Sequence, residues 1–509
     1  MEEWDIWKTN FGSKKPSSAL SSSEASSCLE DDETKPESYE VLKSDILHSR
    51  TTRYLIRDII GEGSFGKVTK AVNLNTSQEV ALKILKTEDT ADREIKMLDV
   101  VSILDPVKNS VVQFFERFDH KGQTCLVFEK LDRSLFDLFV EREGRPLSLN
   151  EIRPVAHQLL TAFDALKGIG VVHSDLKPDN VMLVNHSSTP FKVKLIDFGV
   201  AFKTTEKTQG MTIQAVPYRA PEVILGLPIT EAIDMWSLGC LLGSLYCGQD
   251  LFADCEYQLM KGIVEMLGQP ADHLLDDGHY TQIFFRENEH WDEPRWWMKT
   301  PLEYQRQTGI EPETWQSPLR CLDDLIIHRP EMEEAELEDQ RAFVSLLKCL
   351  LRTDHNNRIT PGKALKHPFV EMDHLWKELD TSSYVDDSAE KMMIVPDYYL
   401  DSSEMEELQK PSVKLPSNDD SGSDSPQSCI SLPSIKIAFD TPDGAEPAAA
   451  MDVIDSAISQ GAASPAETSA NGVSPDEVPP ARVKMSRMKR IRKFFGRTIR
   501  ALFGKRTRE

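Results

Sequence analysis

Residues 173–180 read HSDLKPDN and residues 196–199 read IDFG. Asp175, Lys177, Asn180 and Asp197 together form a set able to manage a charged phosphate group and a hydroxyl. Asp175 can accept or orient a hydroxyl proton, Lys177 can neutralise a γ-phosphate, and Asn180 and Asp197 offer oxygen ligands for Mg2+. Phe198 is expected to pack inward and so fix the direction of Asp197.

Further N-terminal, GEGSFGKV (61–68) lies between two β-rich runs. Dinucleotide-binding folds use a similar glycine pattern but place a helix after it. Here the flanks favour a phosphate-covering hairpin, with Gly61, Gly63 and Gly66 leaving backbone N–H groups free to approach phosphates. The whole stretch (Gly61, Glu62, Gly63, Ser64, Phe65, Gly66, Lys67 and Val68) is therefore a candidate nucleotide-binding element. VALK (80–83) follows on the next strand and places Lys83 for the α- and β-phosphates, beside Ala81. Glu94 is the candidate carboxylate that holds Lys83, although the eleven-residue spacing demands a clipped strand-to-helix connection. Glu222 in APE (220–222) is expected to pair with Arg358, and Asp234 to brace the backbone of the 173–180 loop.

These residues need a scaffold. YLIRDII, KVTKAVNL, QEVALKIL, VVQFFERF and QTCLVFEKL read as strands of a small sheet. TADREIKMLDVV (90–101) reads as a helix with Thr90 as its cap and Ile95, Leu98 and Val101 on one stripe. Beyond residue 132 helical patterns dominate, as in EIRPVAHQLLTAFDALKGIG and QRAFVSLLKCLLRTD. The fold class is α+β: a β-rich lobe with one main helix, then a larger helical lobe. MWSLGCLLGSLYCG (235–248) is too short to span a bilayer and reads as a buried core helix.

Composition limits the alternatives. Hydrophobic residues make up 40% and charged residues 28% of the chain, as in a soluble globular core with polar extensions. Eight scattered cysteines without a C-x-x-C pair read as reduced thiols, in cytoplasm, nucleus or both. The N-terminal MEEWDIWKTN lacks a basic n-region and an apolar stretch and has Glu2 where N-myristoylation requires glycine, so neither a secretory signal nor that modification is expected. Residues 1–50 are Ser-rich and acidic and read as disordered; residues 371–480 read as an acidic, then Ser/Pro/Asp-rich, linker or tail.

Taken in order, these motifs resemble the eukaryotic protein kinases over residues 54–370, with an N-lobe at 54–131 and a C-lobe at 132–370. LKPDN resembles the serine/threonine class, which implies ATP and Mg2+ as cofactors and serine or threonine in protein substrates. LVFEKLDRSLFDLF (126–139) is similar to the hinge of the cyclin-dependent and related group. That similarity implies Phe128 as gatekeeper, with backbone groups of Glu129 and Leu131 facing adenine. APEVILGLPITEAIDMWSLGC, MKTPLEYQRQTGI and CLDDLI resemble the homeodomain-interacting and dual-specificity tyrosine-regulated kinases, with their C-lobe insert at about 271–338. That branch autophosphorylates a tyrosine in a pattern like Y-x-Q-S-R-x-Y-R-A-P-E. Here Thr212 takes the tyrosine's place, Val216 the phosphate-binding arginine's, and Ser174 the arginine common in other kinases. The expectation is a divergent, monomeric member whose activation segment is held by packing. A pseudokinase scaffold is the alternative, against which stand Lys83, Asp175, Asn180 and Asp197.

The last segment (481–509) differs in kind. Net charge is −24 overall, yet residues 482–508 contain twelve Lys or Arg and no acid, leaving about −36 on the remainder. Apolar residues at Met485, Met488, Ile491, Phe495, Ile499 and Leu502 recur at helical spacing opposite the basic ones. Such a helix suits anionic membrane, calmodulin or an import receptor, or docking on the chain's own acidic body. No direct nucleic-acid binding is expected from the acidic remainder.

Overall fold

The computed structural model describes residues 40–395, apart from 63–65, 86–87, 207–208, 289–291, 293, 316, 318 and 380. The expected tail helix, most of the 371–480 linker and residues 1–39 lie outside the described residues.

The small lobe is a six-stranded antiparallel sheet in the order β1-β2-β3-β4-β6-β5. Its strands are β1 (Ile46–His48), β2 (Arg53–Glu62), β3 (Gly66–Asn73), β4 (Glu79–Leu85), β5 (Phe114–His120) and β6 (Gln123–Glu129). Side chains alternate across a strand. On β4, Val80, Leu82 and Ile84 therefore enter a core with Val41, Leu47, Tyr54, Ile56, Ala71 and Val127, while Ala81 and Lys83 take the opposite face. Helix α1 (Glu88–Val101) packs on that opposite face through Ile95, Leu98 and Val101. Thr90 falls inside this helix and not at its start, since the helix runs from Glu88.

The large lobe is helical. The N-termini of α2 (Leu135–Glu141) and α3 (Leu149–Gly168) carry reciprocal capping boxes, Ser134 with Asp137 and Ser148 with Glu151. α4 (Pro221–Leu225) precedes α5 (Ala232–Cys247), which is buried from Ile233 to Leu245, as the uniformly apolar 235–248 run requires. After α6 (Glu256–Leu267), the insert region contributes α7 (Asp272–Asp277), α8 (Thr281–Phe284), the strand pair β11 (Phe285–Glu287) and β12 (Trp296–Met298), and α9 (Pro301–Thr308). α10 (Glu334–Leu350) returns to the core. Two short strand pairs, β7 (Val171–Val172) with β10 (Phe202–Lys203) and β8 (Val181–Asn185) with β9 (Thr189–Leu195), flank the 173–180 and 196–199 runs along the chain. No described helix is long and apolar enough to cross a membrane.

Two boundaries need correction. Residues 40–50 are not disordered: Val41 and Leu47 are buried and β1 pairs with β2. Nor does the linker begin at residue 371. Helix α11 (Ser383–Met392) buries Val385, Ala389 and Met392. Tyr384 donates to Asp339, which also pairs with fully buried Arg153. The acidic composition of 371–395 conceals these few apolar anchors, and a polar helix face looks like a linker in sequence.

Candidate active site

Lys83 is the hub of the cleft. Its Nζ lies 2.7 Å from Glu94 Oε1 and 3.1 Å from Asp197 Oδ1, with 12% of the Lys83 side chain and 3% of Glu94 exposed. The two-residue β4–α1 connection explains how an eleven-residue spacing still brings Glu94 into reach. Burial disfavours charge on Lys83, yet Asp197 and Glu94 more than offset it and the ammonium is held above its ordinary pKa. Burial raises Glu94, only partly countered by Lys83. At Asp197 burial is likewise the largest single influence, but Lys83, the Gly199 N–H and His173 together outweigh it and the carboxyl stays below its usual range.

Asp197 follows β9 with a left-handed φ of 64°, and Gly199 N–H turns back to its Oδ1 at 3.3 Å. A Cβ on Gly199 would sit 3.2 Å from that oxygen and 3.4 Å from Glu94 Oε2, so glycine lets the turn close against both carboxylates. Phe198 is fully buried and meets the His173 ring edge-on at 5.2 Å. His173 Nδ1 accepts from Asp175 N–H at 3.2 Å, which leaves Nε2 to donate to the Ile196 carbonyl at 2.9 Å.

The loop between β7 and β8 carries the remaining groups. Lys177 Nζ is 2.9 Å from Asp175 Oδ2. Asn180 Nδ2 donates to both the Asp175 carbonyl and Asp175 Oδ2 at 2.8 Å, leaving its amide oxygen as the remaining ligand atom. Asp234, from α5, accepts the N–H groups of His173 and Ser174, each at 2.8 Å. Its buried carboxyl is pushed up by desolvation. These two bonds hold Ser174 at a φ of 63°, a conformation that costs a non-glycine residue about 1–3 kcal/mol. Ser174 Oγ then donates to the Val200 carbonyl at 2.9 Å, a contact invisible in sequence.

The segment after Val200 is held by polar side chains. Gln214, buried and at a φ of 66°, donates to the Ile233 carbonyl (3.0 Å) and Ser237 Oγ (2.7 Å) and accepts from Ala220 N–H (3.0 Å). Arg219 donates to the carbonyls of Ile213 and Gln214 at 2.9 Å each and pairs with Glu256. Glu222 and Arg358, both essentially unexposed, form the expected bidentate bridge at 2.6 and 2.9 Å. Thr212 is exposed.

On the nucleotide side, Ala81 stands opposite Phe128 and Lys83 opposite Leu126 in the β4–β6 register. Glu129 N–H is committed to the Gln113 carbonyl at 3.0 Å, so of its two backbone groups only the carbonyl is left for a base. Leu131 is buried, with its carbonyl bonded by Lys130. In the glycine loop, Gly61, Glu62, Lys67 and Val68 sit on β2 and β3; Gly63, Ser64 and Phe65 lie outside the described residues. Gly66 has a reason of its own: a Cβ there would come within 2.2 Å of the Ile84 carbonyl oxygen. Lys67 Nζ pairs with Glu40 at 2.9 Å.

For Mg2+, Asp197 and Asn180 offer one carboxylate and one amide oxygen, a hard-oxygen pair of the kind that phosphate oxygens complete. Among the described residues no group of three or more His, Cys, Asp or Glu is arranged to hold a metal by itself.

Residues 54–370 match the protein kinase domain family, and the chain belongs to the protein kinases. Within that family it is similar to the homeodomain-interacting protein kinases. It is 39% identical over 349 residues to homeodomain-interacting protein kinase 2 of Mesocricetus auratus, covering 66% of this chain and 30% of that relative. Identity is also 39% over 368 residues with homeodomain-interacting protein kinase 1 of Mus musculus (70% of this chain, 30% of the relative). Homeodomain-interacting protein kinase 4 of Homo sapiens is 37% identical over 358 residues (66% and 58%). The chain thus spans under a third of the length of two of these relatives and little more than half of the third.

Proposed function

We propose that this chain is an ATP-dependent protein kinase that transfers the γ-phosphate to serine or threonine hydroxyls of protein substrates. The observation that carries the reading is the convergence of Lys83, Glu94 and Asp197 with Asp175, Lys177 and Asn180 in one cleft. Asp175 orients the substrate hydroxyl and takes its proton as the oxygen bonds to the γ-phosphorus and the bond to the β-bridging oxygen breaks. Lys177 screens the γ-phosphate, Lys83 holds the α- and β-phosphates, and Glu94 keeps Lys83 in place. Asp197 and Asn180 would hold Mg2+, which neutralises the charge that develops on the phosphates. The glycine loop covers the phosphates, while Ala81, Phe128 and the backbone of Glu129 and Leu131 line the adenine site.

In this reading the activation segment needs no phosphate. Ser174 ties its start to the catalytic loop, and Gln214 and Arg219 tie its end to α5 and α6. The folded kinase unit runs from about residue 40 to 395. The relatives are named for interaction with homeodomain proteins, and partners of that class are proposed here too. The 482–508 segment serves as a separate cationic contact for anionic membrane, calmodulin or an import receptor.

Purified protein with ATP and Mg2+ should phosphorylate a serine/threonine substrate, and Asp197→Asn should abolish this. Mass spectrometry of the product identifies the acceptor residue. Wild type as inert as Asp197→Asn would overturn the proposal.

A further inference from the structure

Among the described residues, the insert region is hydrogen-bonded to the activation segment through Tyr280. Tyr280, just before α8, donates its hydroxyl to the Gly210 carbonyl at 3.0 Å, across seventy residues of sequence. Its own N–H bonds to the Leu225 carbonyl at 2.8 Å, which fixes the tyrosine backbone to the end of α4. The side chain is seated against one glycine at its ring edge and another at its hydroxyl. A Cβ on Gly226 (φ +71°) would lie 2.7 Å from Tyr280 Cδ2, and one on Gly210 (φ +78°) 3.1 Å from the Tyr280 hydroxyl oxygen. Both glycines are left-handed, so the chain bends around this one side chain in two places.

Gly210 lies between the Ser174–Val200 tie and the Gln214–Arg219 network. Met211 and Thr212, both exposed, follow directly on Gly210, so the Tyr280 contact holds the backbone on their N-terminal side. Thr212 is also where the resemblance places the regulatory tyrosine that this chain lacks. We propose that Tyr280 is a positioning residue: it takes over the task of a phosphate clamp by pinning the activation segment at Gly210 in the course that admits a protein substrate. This rests on the kinase reading above, with which it shares the activation segment but not the cleft residues.

The test uses the full chain with Tyr280→Phe, which removes only the hydroxyl, and Tyr280→Ala, which also removes the ring. KM for a peptide substrate, KM for ATP and backbone hydrogen exchange over residues 209–215 are measured on each. Tyr280→Phe should raise the peptide KM about fivefold, the size of one hydrogen bond's net worth. Tyr280→Ala should raise it further, with ATP KM unchanged and exchange over 209–215 faster in both. Unchanged peptide KM and exchange in both variants would overturn the proposal. So would a uniform rise in both KM values with a lowered melting temperature, since that marks a merely structural side chain. Should the wild type prove inert, the kinase reading falls, yet exchange still decides the clamp: faster exchange supports it and unchanged exchange overturns it.

Discussion

Glu94→Gln removes one carboxylate from the cleft while keeping an oxygen near Lys83 Nζ. The wild-type contact is 2.7 Å, with 3% of Glu94 and 12% of Lys83 exposed. At an effective dielectric constant of about 20, two unit charges at that distance attract by about 6 kcal/mol. Desolvation offsets much of this, as the raised Glu94 carboxyl indicates. Breaking a buried pair by removing one partner costs roughly 3–5 kcal/mol. Lys83 keeps Asp197 at 3.1 Å and the new amide oxygen still accepts, so the loss should sit lower, at about 2–3 kcal/mol. That corresponds to a fall of roughly 30- to 150-fold in kcat/KM for ATP, measured by initial rates at saturating peptide. Thermal melting of the same sample checks that the fold is intact. A folded Glu94→Gln enzyme within about threefold of wild type would refute the assignment of Glu94 as the carboxylate that positions Lys83.

Other perturbations test the framework around the cleft. Gln214→Ala strands the buried Ala220 N–H and removes the ties to Ile233 and Ser237 on α5, and should cost about 2 kcal/mol in urea unfolding and raise peptide KM before ATP KM. Arg358→Ala leaves buried Glu222 unpaired, and should lower unfolding free energy by about 3–5 kcal/mol or abolish soluble expression. Burial pushes the Asp250 carboxyl up to about 7, even though the Tyr218 hydroxyl donates to it at 2.7 Å. The folded state therefore binds a proton that the unfolded state has released, so this group's contribution to stability falls as pH rises from about 4 to about 7 and levels off above. Relative to Asp250→Asn, wild type should lose unfolding free energy across that window; a pH-independent difference would contradict the shift.

The convergence of the cleft residues was legible because they lie in short local runs: HSDLKPDN, IDFG and VALK place each group by one turn or one strand. Thr90 shows the limit of local signals, since a good capping residue stands inside a helix that starts at Glu88. The long-range hydrogen bonds of the activation segment were not legible. Ser174 meets Val200 across 26 residues and Tyr280 meets Gly210 across 70, and neither pair carries a mark that composition or periodicity can detect. Segment 371–395 failed for a different reason: its anchors Val385, Ala389 and Met392 are sparse among acids, and only burial against α3 and α10 distinguishes them from a linker.

The central claim is that this cleft transfers phosphate with an activation segment that needs none. The most direct measurement is the rate of serine/threonine phosphorylation by the purified chain before and after phosphatase treatment, with complete dephosphorylation verified by mass spectrometry and Asp197→Asn as the zero. The account predicts that the dephosphorylated enzyme keeps most of its rate and stands far above Asp197→Asn. A rate that collapses to the Asp197→Asn level on dephosphorylation would contradict it.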